Sequence, residues 1–194
     1  MNKGRLEAFS DGVLAIIITI MVLEMKAPHG ADFADLRPVL PAFLSYVLSF
    51  IYIGIYWNNH HHMLQTTRHI NGTILWANLH LLFWLSLVPF VTAWSGENHF
   101  APAPMALYGV VLLAAAIAYT ILQTLIKKEH GDHSLLAEAV GKDLKGKISM
   151  LLYAVAIPSA FITPWIPGAI YVLVALFWLV PDKRIENKIK TAED

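Results

Sequence analysis

An ionisable side chain, Asp11, lies at the start of the first apolar run of the chain. The uncharged residues that follow it, from Gly12 to Leu23, would rise about 18 Å as an α-helix, which is too short for a hydrocarbon core of about 30 Å. The helix must therefore include its polar flank, and Asp11 then lies in or close to the membrane. A carboxylate in that position is energetically costly, needs partners and marks a candidate functional site.

The faces of this first helix separate Asp11 from an aliphatic stripe. At about 100° per residue, Asp11 and Ile16 project about 140° apart, so their side chains meet different neighbours. One face is able to anchor the helix within its own subunit, and the other is free to line an axis or to contact lipid. Periodicity alone favours contact with lipid or with a neighbouring helix for the stripe. The residues that share the face of Ile16 are Gly12, Thr19, Ile20 and Leu23.

Histidines form the second group of side chains able to do chemistry. His60, His61 and His62 are consecutive, and His80 lies alone in a later apolar run. Consecutive residues project about 100° apart on a helix, and the metal-binding spacing i, i+4 is absent from this group, so we expect no metal site. His80 paired with His60 or His61 would supply two haem ligands, but a hydrogen bond to a neighbouring helix is the interpretation we favour. Because histidine titrates near neutral pH, a pH-sensitive polar network is a further hypothesis.

The composition predicts that helices of a membrane protein position these groups. The chain is 57% hydrophobic and 14% charged, whereas soluble domains are about 25% charged. We therefore predict an all-α, polytopic membrane protein surrounded by lipid. The 14 basic and 14 acidic residues balance, so nucleic acid is not expected as a partner. There is no cysteine, which excludes disulfides and thiolate metal sites.

Uncharged runs predict six transmembrane helices in a single membrane domain over 1–194, with spans at 6–24, 38–59, 71–95, 103–126, 148–163 and 167–181. The last uncharged run is too long for one span, and the segment from Pro164 to Gly168 predicts a turn within it. With six spans and both termini cytoplasmic, all 14 Lys and Arg residues except Lys26 and Arg37 lie inside. Five spans would move the C-terminal charges outside and lose this asymmetry, so six spans are preferred.

Several motifs resemble the bacterial relatives of the lysosomal potassium channel called transmembrane protein 175. The first-helix signature of that family corresponds to Arg5, Phe9, Ser10, Asp11 and Gly12, followed by the string V-L-A-I-I-I-T-I. The W-x-x-H-H pattern at the end of its second span corresponds to Trp57, His60 and His61. Asn78, together with the segment from Leu85 to Thr92, resembles the third span of that family. The resemblance extends over essentially the whole chain.

The resemblance implies a passive cation channel in the bacterial inner membrane, permeable to potassium and other monovalent cations. The first helices of a homotetramer would line its pore, with Ile16, Ile20 and Leu23 as the hydrophobic constriction and Thr19 as a polar lining residue. No T-V-G-Y-G filter is present, so weak selectivity would come from the cost of dehydrating ions. No cofactor is expected besides permeant potassium ions. The resemblance also implies a polar network between helices, made of Arg5, Phe9, Ser10, Asp11, Trp57, His60, His61 and Asn78.

Other interpretations of these residues remain open. For Thr19, a hydrogen bond to its own helix backbone is favoured over a contact with an ion, and Ser10 with Asp11 would suit a solvated helix start. A small secondary transporter could use Asp11 and the histidines as a proton relay for an ion or a small solute. An enzyme is not expected, because the sequence has no nucleophile motif, glycine-rich phosphate loop or inward pair of carboxylates.

Overall fold

The computed structural model describes residues 2–67, 69–130 and 143–179 of the chain. These ranges form seven α-helices and a short 3-10 helix, Phe33–Val39, and they contain no strand. The predicted all-α class is therefore confirmed. The helices are α1 Lys3–Leu23, α2 Leu40–Gln65, α3 Gly72–Ser86, α4 Val88–Glu97, α5 Pro102–His130, α6 Leu144–Ser159 and α7 Trp165–Leu179.

Four segments are long and apolar enough to cross a membrane, and α7 is a shorter apolar helix. They are α1, the 3-10 helix with α2, α3 with α4, and α5. Together with α6 they make six helical units, as predicted. The turn predicted from Pro164 to Gly168 is wrong in position, because the chain turns at residues 160–164 and α7 begins at Trp165. The first two α-helices extend beyond the predicted spans, since α1 begins at Lys3 and α2 ends at Gln65. The bilayer boundaries and the cytoplasmic location of the termini stay predictions, and residues 180–194, which include the end of the last predicted span, lie outside the described ranges.

The unit predicted as one span over 71–95 is interrupted at Leu87, where α3 ends and α4 begins. Pro89 lies in the first turn of α4 and has no backbone N–H, so it cannot bond the carbonyl of Leu85. The backbone N–H of Leu87 donates to the carbonyl of Trp84 at 3.2 Å, a 3-10-type bond that tightens the last turn of α3. The interruption is therefore a local consequence of one proline.

The helices pack closely where small residues meet. Ala115 and Ala118 of α5 are fully buried, as expected for helices that approach without bulky side chains between them. Near the end of α4, a Cβ atom added to Gly96 would lie 2.5 Å from the Cα atom of Ala42. Glycine is therefore required for α4 to approach the start of α2 at this point.

Hydroxyl groups cross-link the helices inside the apolar core. The Ser49 hydroxyl of α2 lies 2.6 Å from the Thr92 hydroxyl of α4 and 2.8 Å from the Tyr108 hydroxyl of α5. The Tyr52 hydroxyl donates to the backbone carbonyl of Tyr171 in α7 at 2.7 Å. Such bonds satisfy polar groups that would otherwise be unfavourable in an apolar interior, and they fix the positions of α4, α5 and α7 relative to α2.

Candidate functional site

The aliphatic stripe of α1 lies on the surface of the single chain. The exposed fractions of Ile16, Ile20 and Leu23 are 60%, 40% and 75%. Large apolar side chains that share one helix face and are this exposed need a cover outside the chain, either lipid or another protein. The buried residues of the same helix are Leu6, Ser10, Leu14, Ile17 and Met21.

The Thr19 hydroxyl donates a hydrogen bond to the backbone carbonyl of Ala15 at 2.9 Å. This is the internal bond that the sequence allows for a threonine in a helix. Thr19 is exposed and lies beside the stripe. Its hydroxyl oxygen keeps lone pairs that are not used by the bond it donates.

A buried series of hydrogen bonds joins α1, α2 and α3. The Nε2 atom of His60 lies 2.7 Å from Oδ1 of Asn78, and Nδ2 of Asn78 donates to Oγ of Ser10 at 3.0 Å. The Ser10 hydroxyl in turn donates to the carbonyl of Leu6 at 2.9 Å. An amide oxygen only accepts, so His60 donates from Nε2. The polar groups of Ser10, His60 and Asn78 are thus satisfied inside the subunit, where they are almost inaccessible to solvent.

Asp11 belongs to a second, more exposed cluster between α1 and α2. The indole Nε1 of Trp57 donates to the Asp11 carboxylate at 3.0 Å. The Trp57 ring stacks on His61, with ring centroids 6.0 Å apart, and Nε2 of Gln65 lies 2.9 Å from Nε2 of His61. Asp11 therefore fixes α1 against α2 beside the buried series. Gln65 was not predicted from the sequence, and its only signal is the i, i+4 spacing from His61.

Two residues of the predicted network are not brought into it within one chain. Arg5 and Phe9 are exposed, and the guanidinium of Arg5 makes no hydrogen bond or ion pair with any residue in the described ranges. The alternative of Ser10 and Asp11 as a helix start is wrong, because Asn2 caps α1 by accepting from the backbone of Gly4. Both residues lie well inside the helix instead.

The histidines considered for haem or metal have other partners. His80 accepts a hydrogen bond from the Trp84 indole at 3.0 Å, one turn farther along α3, so the expected bond to a neighbouring helix is wrong. His60 and His61 contact Asn78 and Gln65. No group of three or more His, Cys, Asp or Glu side chains in the described ranges is placed to hold a metal ion. His60, His61 and His80 are therefore hydrogen-bond partners of other side chains.

At the other end of α1, an ion pair ties the following loop to α4. The ammonium of Lys26 donates to the Glu97 carboxylate at 2.9 Å, and both side chains are largely exposed. The hydrogen bond and charge of Glu97 raise the pKa of Lys26 above its ordinary value. Exposed pairs of this kind contribute little stability, so the pair orients the loop more than it stabilises the fold. The sequence analysis did not find it, because the partners are far apart in the chain.

Known proteins similar to this chain are ion channels. The sequence model for the endosomal/lysosomal potassium channel TMEM175 matches residues 5–89. A potassium channel of Chryseobacterium sp. is 59% identical over 98% of this chain and 99% of that protein. The endosomal/lysosomal proton channel TMEM175 of Mus musculus is 29% identical over 54% of this chain and 23% of its own length.

A solved structure resembles the whole described fold. It is the crystal structure of a lysosomal potassium-selective channel TMEM175 homolog from Chamaesiphon minutus, with a TM-score of 0.77 and 28% identity over 93% of this chain and 97% of that one. The family resemblance of the motifs and the expectation that the protein is not an enzyme are thereby confirmed. A six-unit helical fold, the first-helix motif and a relative matched over nearly its full length all agree, and the chain belongs to the TMEM175 family of ion channels.

Proposed function

We propose that this chain assembles as a homotetramer into a passive, potassium-permeable and weakly selective cation channel of the bacterial inner membrane. The observation that carries the proposal is the exposed stripe of Ile16, Ile20 and Leu23 on α1. The opposite side of the same helix is held in its own subunit by the Ser10 and Asp11 contacts. The bacterial relative and the solved neighbour named above, called a potassium channel and a potassium-selective channel, support the choice of ion.

The stripe would form the constriction of a central pore. One copy of α1 encloses nothing, but four copies around an axis would bring Ile16 together at the narrowest level, with Ile20 and Leu23 farther along. A ring of aliphatic side chains offers no ligands, so an ion crosses it only when water fills the constriction or when part of its hydration is lost. Potassium loses water at a lower cost than sodium, so the ring favours potassium modestly.

Thr19 would add a polar group to this pore while keeping its hydrogen bond to the carbonyl of Ala15. Its hydrogen atom is directed to the carbonyl of Ala15, so the negative side of the hydroxyl is available to a passing cation. The internal bond and the lining role are thus compatible. Thr19 would lower the barrier next to the aliphatic constriction without forming a carbonyl cage.

The polar network would hold α1 in position behind the pore. Its buried part, Ser10, Asn78 and His60, connects three helices, and its exposed part, Asp11 with Trp57, faces the edge of the subunit. Arg5 and Phe9 are exposed in the single chain, so they would join the network through a neighbouring subunit.

Replacing Asp11 with alanine is expected to weaken assembly and to leave ion preference unchanged. The variant removes the acceptor for Trp57 at 3.0 Å, and because this bond is exposed we expect it to contribute about 0.5–1.5 kcal/mol to the position of α1. The matched variant Asp11→Asn keeps an acceptor oxygen and should assemble like the wild type. Mass measurement of both purified variants in detergent checks this, and an Asp11→Ala tetramer with altered selectivity would assign the carboxylate to the pore instead.

Potassium flux into liposomes tests the channel proposal. Purified protein should carry potassium down its gradient without another solute, with flux that does not saturate over the accessible potassium range. Sodium should pass more slowly under the same gradient. Protein that carries no potassium under these conditions contradicts the proposal.

Proton-coupled transport of an ion or a small solute is the second candidate. It is favoured by the continuous hydrogen bonds from His60 to Ser10 beside Asp11, and mammalian relatives are named proton channels. In the same liposomes, this candidate predicts saturable flux and a fixed ratio of protons to substrate. Potassium flux that continues unchanged when the proton gradient is collapsed excludes coupling.

A further inference from the structure

A large groove lies between α2 and α7, at the end of the bundle away from the N-terminus. Its volume is about 790 Å³, within the range of about 300–1,000 Å³ typical of small-molecule sites. Leu44, Val47 and Ile51 of α2 and Val172, Leu173 and Leu176 of α7 line its two walls. No Asp, Glu, Lys or Arg is among the described residues that line it.

The groove exists because, in the described part of the chain, hydrogen bonds join α2 to α7 at only one level. Tyr52 of α2 donates to the carbonyl of Tyr171, and the Tyr171 hydroxyl donates to the carbonyl of Met105 in α5. Between this level and Trp165, no hydrogen bond joins α2 to α7 in the described part of the chain. The two helices therefore present apolar walls to each other without filling the space between them.

One polar group in the wall lacks a partner. The Ser95 hydroxyl is buried, and it is the one buried side-chain polar atom in the described ranges with no hydrogen bond. The neighbouring Ser45 hydroxyl is bonded to the carbonyl of Thr92. A buried hydroxyl without a partner is unfavourable, and rotation about the Cα–Cβ bond of serine would direct its proton to an acceptor in the groove.

We propose that the groove holds one acyl chain of a membrane phospholipid, with Ser95 donating to the ester carbonyl of that chain. One wall is α2, which is long and apolar enough to cross a membrane, and the other is the shorter apolar helix α7. In a bilayer, the groove between them would open towards lipid. Apart from His99 and a few hydroxyl groups, the lining that the structure describes is apolar and has no Asp, Glu, Lys or Arg, so it fits a hydrocarbon chain better than a charged solute or a polar peptide.

The dimensions and depth of the groove agree with a lipid of one leaflet. From Trp165 to Leu176, α7 rises about 17 Å, which is close to half of a hydrocarbon core of about 30 Å. Trp165 lines the groove at the start of α7, where an indole ring prefers the membrane interface. Ser95 lies two residues before the end of α4 at Glu97, so in this arrangement its hydroxyl would lie near the depth of the ester groups.

Native mass spectrometry of the assembly purified in mild detergent tests the proposal. The wild type should retain one phospholipid per subunit, and Val172→Trp or Ala169→Trp should lose it by filling the groove. The matched controls Val155→Trp and Ala154→Trp are on α6, outside the lining, and should retain it. Val155 and Val172 are both about half exposed, so each pair adds the same bulk to a similar surface.

The same experiment can overturn the proposal. A wild type that retains no lipid, or groove and control variants that retain it equally, would exclude a resident acyl chain. Because the chain has no cysteine, a benzophenone on a single Val172→Cys site provides an independent measurement that does not depend on the bulky variants. A covalent product with phospholipid supports the proposal, and a product that joins two subunits shows that protein fills the groove.

Discussion

Replacing Ile16 with asparagine is expected to raise sodium permeability and to bring the permeability ratio of potassium to sodium towards one. The amide oxygens of a ring of asparagines would replace part of the water that each ion loses at the constriction. Because sodium has the larger dehydration cost, it gains more from these ligands. A tenfold loss of preference corresponds to about 1.4 kcal/mol, which is the size of one net hydrogen bond.

Reversal potentials in bilayers with opposed sodium and potassium gradients measure this effect. The matched control is Val22→Asn, because Val22 is on the same helix, is 43% exposed and projects about 120° from Ile16. The control should keep the wild-type ratio. An Ile16→Asn channel that is expressed and assembled, yet has unchanged reversal potentials, would show that Ile16 does not line the narrowest part of the pore.

Replacing Asn78 with leucine is expected to destabilise the subunit. Asn78 accepts from His60 and donates to Ser10 inside the bundle, so the variant leaves the buried N–H of His60 without an acceptor. A stranded buried donor costs about 1–3 kcal/mol. The contact of α1 with α2 and α3 is weakened at the same time, so we also expect a smaller fraction of intact assemblies.

Thermal unfolding and mass measurement in detergent check the Asn78 prediction. Asn59→Leu is the matched control, because the side-chain amide of Asn59 bonds the carbonyl of Ile55 in its own helix and no other element in the described ranges. The control should unfold close to the wild type. Equal stability of the two variants would mean that the series from His60 to Ser10 does not hold the helices together.

Much of the fold was predictable because a bilayer permits few backbone arrangements. Lipid offers no hydrogen-bond partners, so uncharged runs that cross it form helices. The six units were therefore predictable from the uncharged runs. The helix ends were predicted less accurately, because Lys3 and His61, which lie outside the uncharged runs, are also helical. The interruption at Leu87 was also not predicted. Pro89 is present in the sequence, but membrane helices often accommodate a proline without a break.

The candidate site was only partly predictable from residue spacing. Helical periodicity separates Asp11 from Ile16 on α1, and their contacts agree with that separation. Periodicity does not say which neighbouring helix meets each face, so the link from Ser10 to Asn78 came from the family resemblance. The hydroxyl contacts of Ser49, Thr92 and Tyr108 were missed, because single polar residues in apolar runs carry no pairing signal of their own.

The structure of the intact assembly in lipid nanodiscs, determined by electron cryo-microscopy, tests the central claim most directly. The account predicts four subunits with their Ile16 side chains around one axis, and a water-filled path on both sides of that constriction. An assembly in which Ile16, Ile20 and Leu23 face lipid, with no water path beside α1, would contradict it.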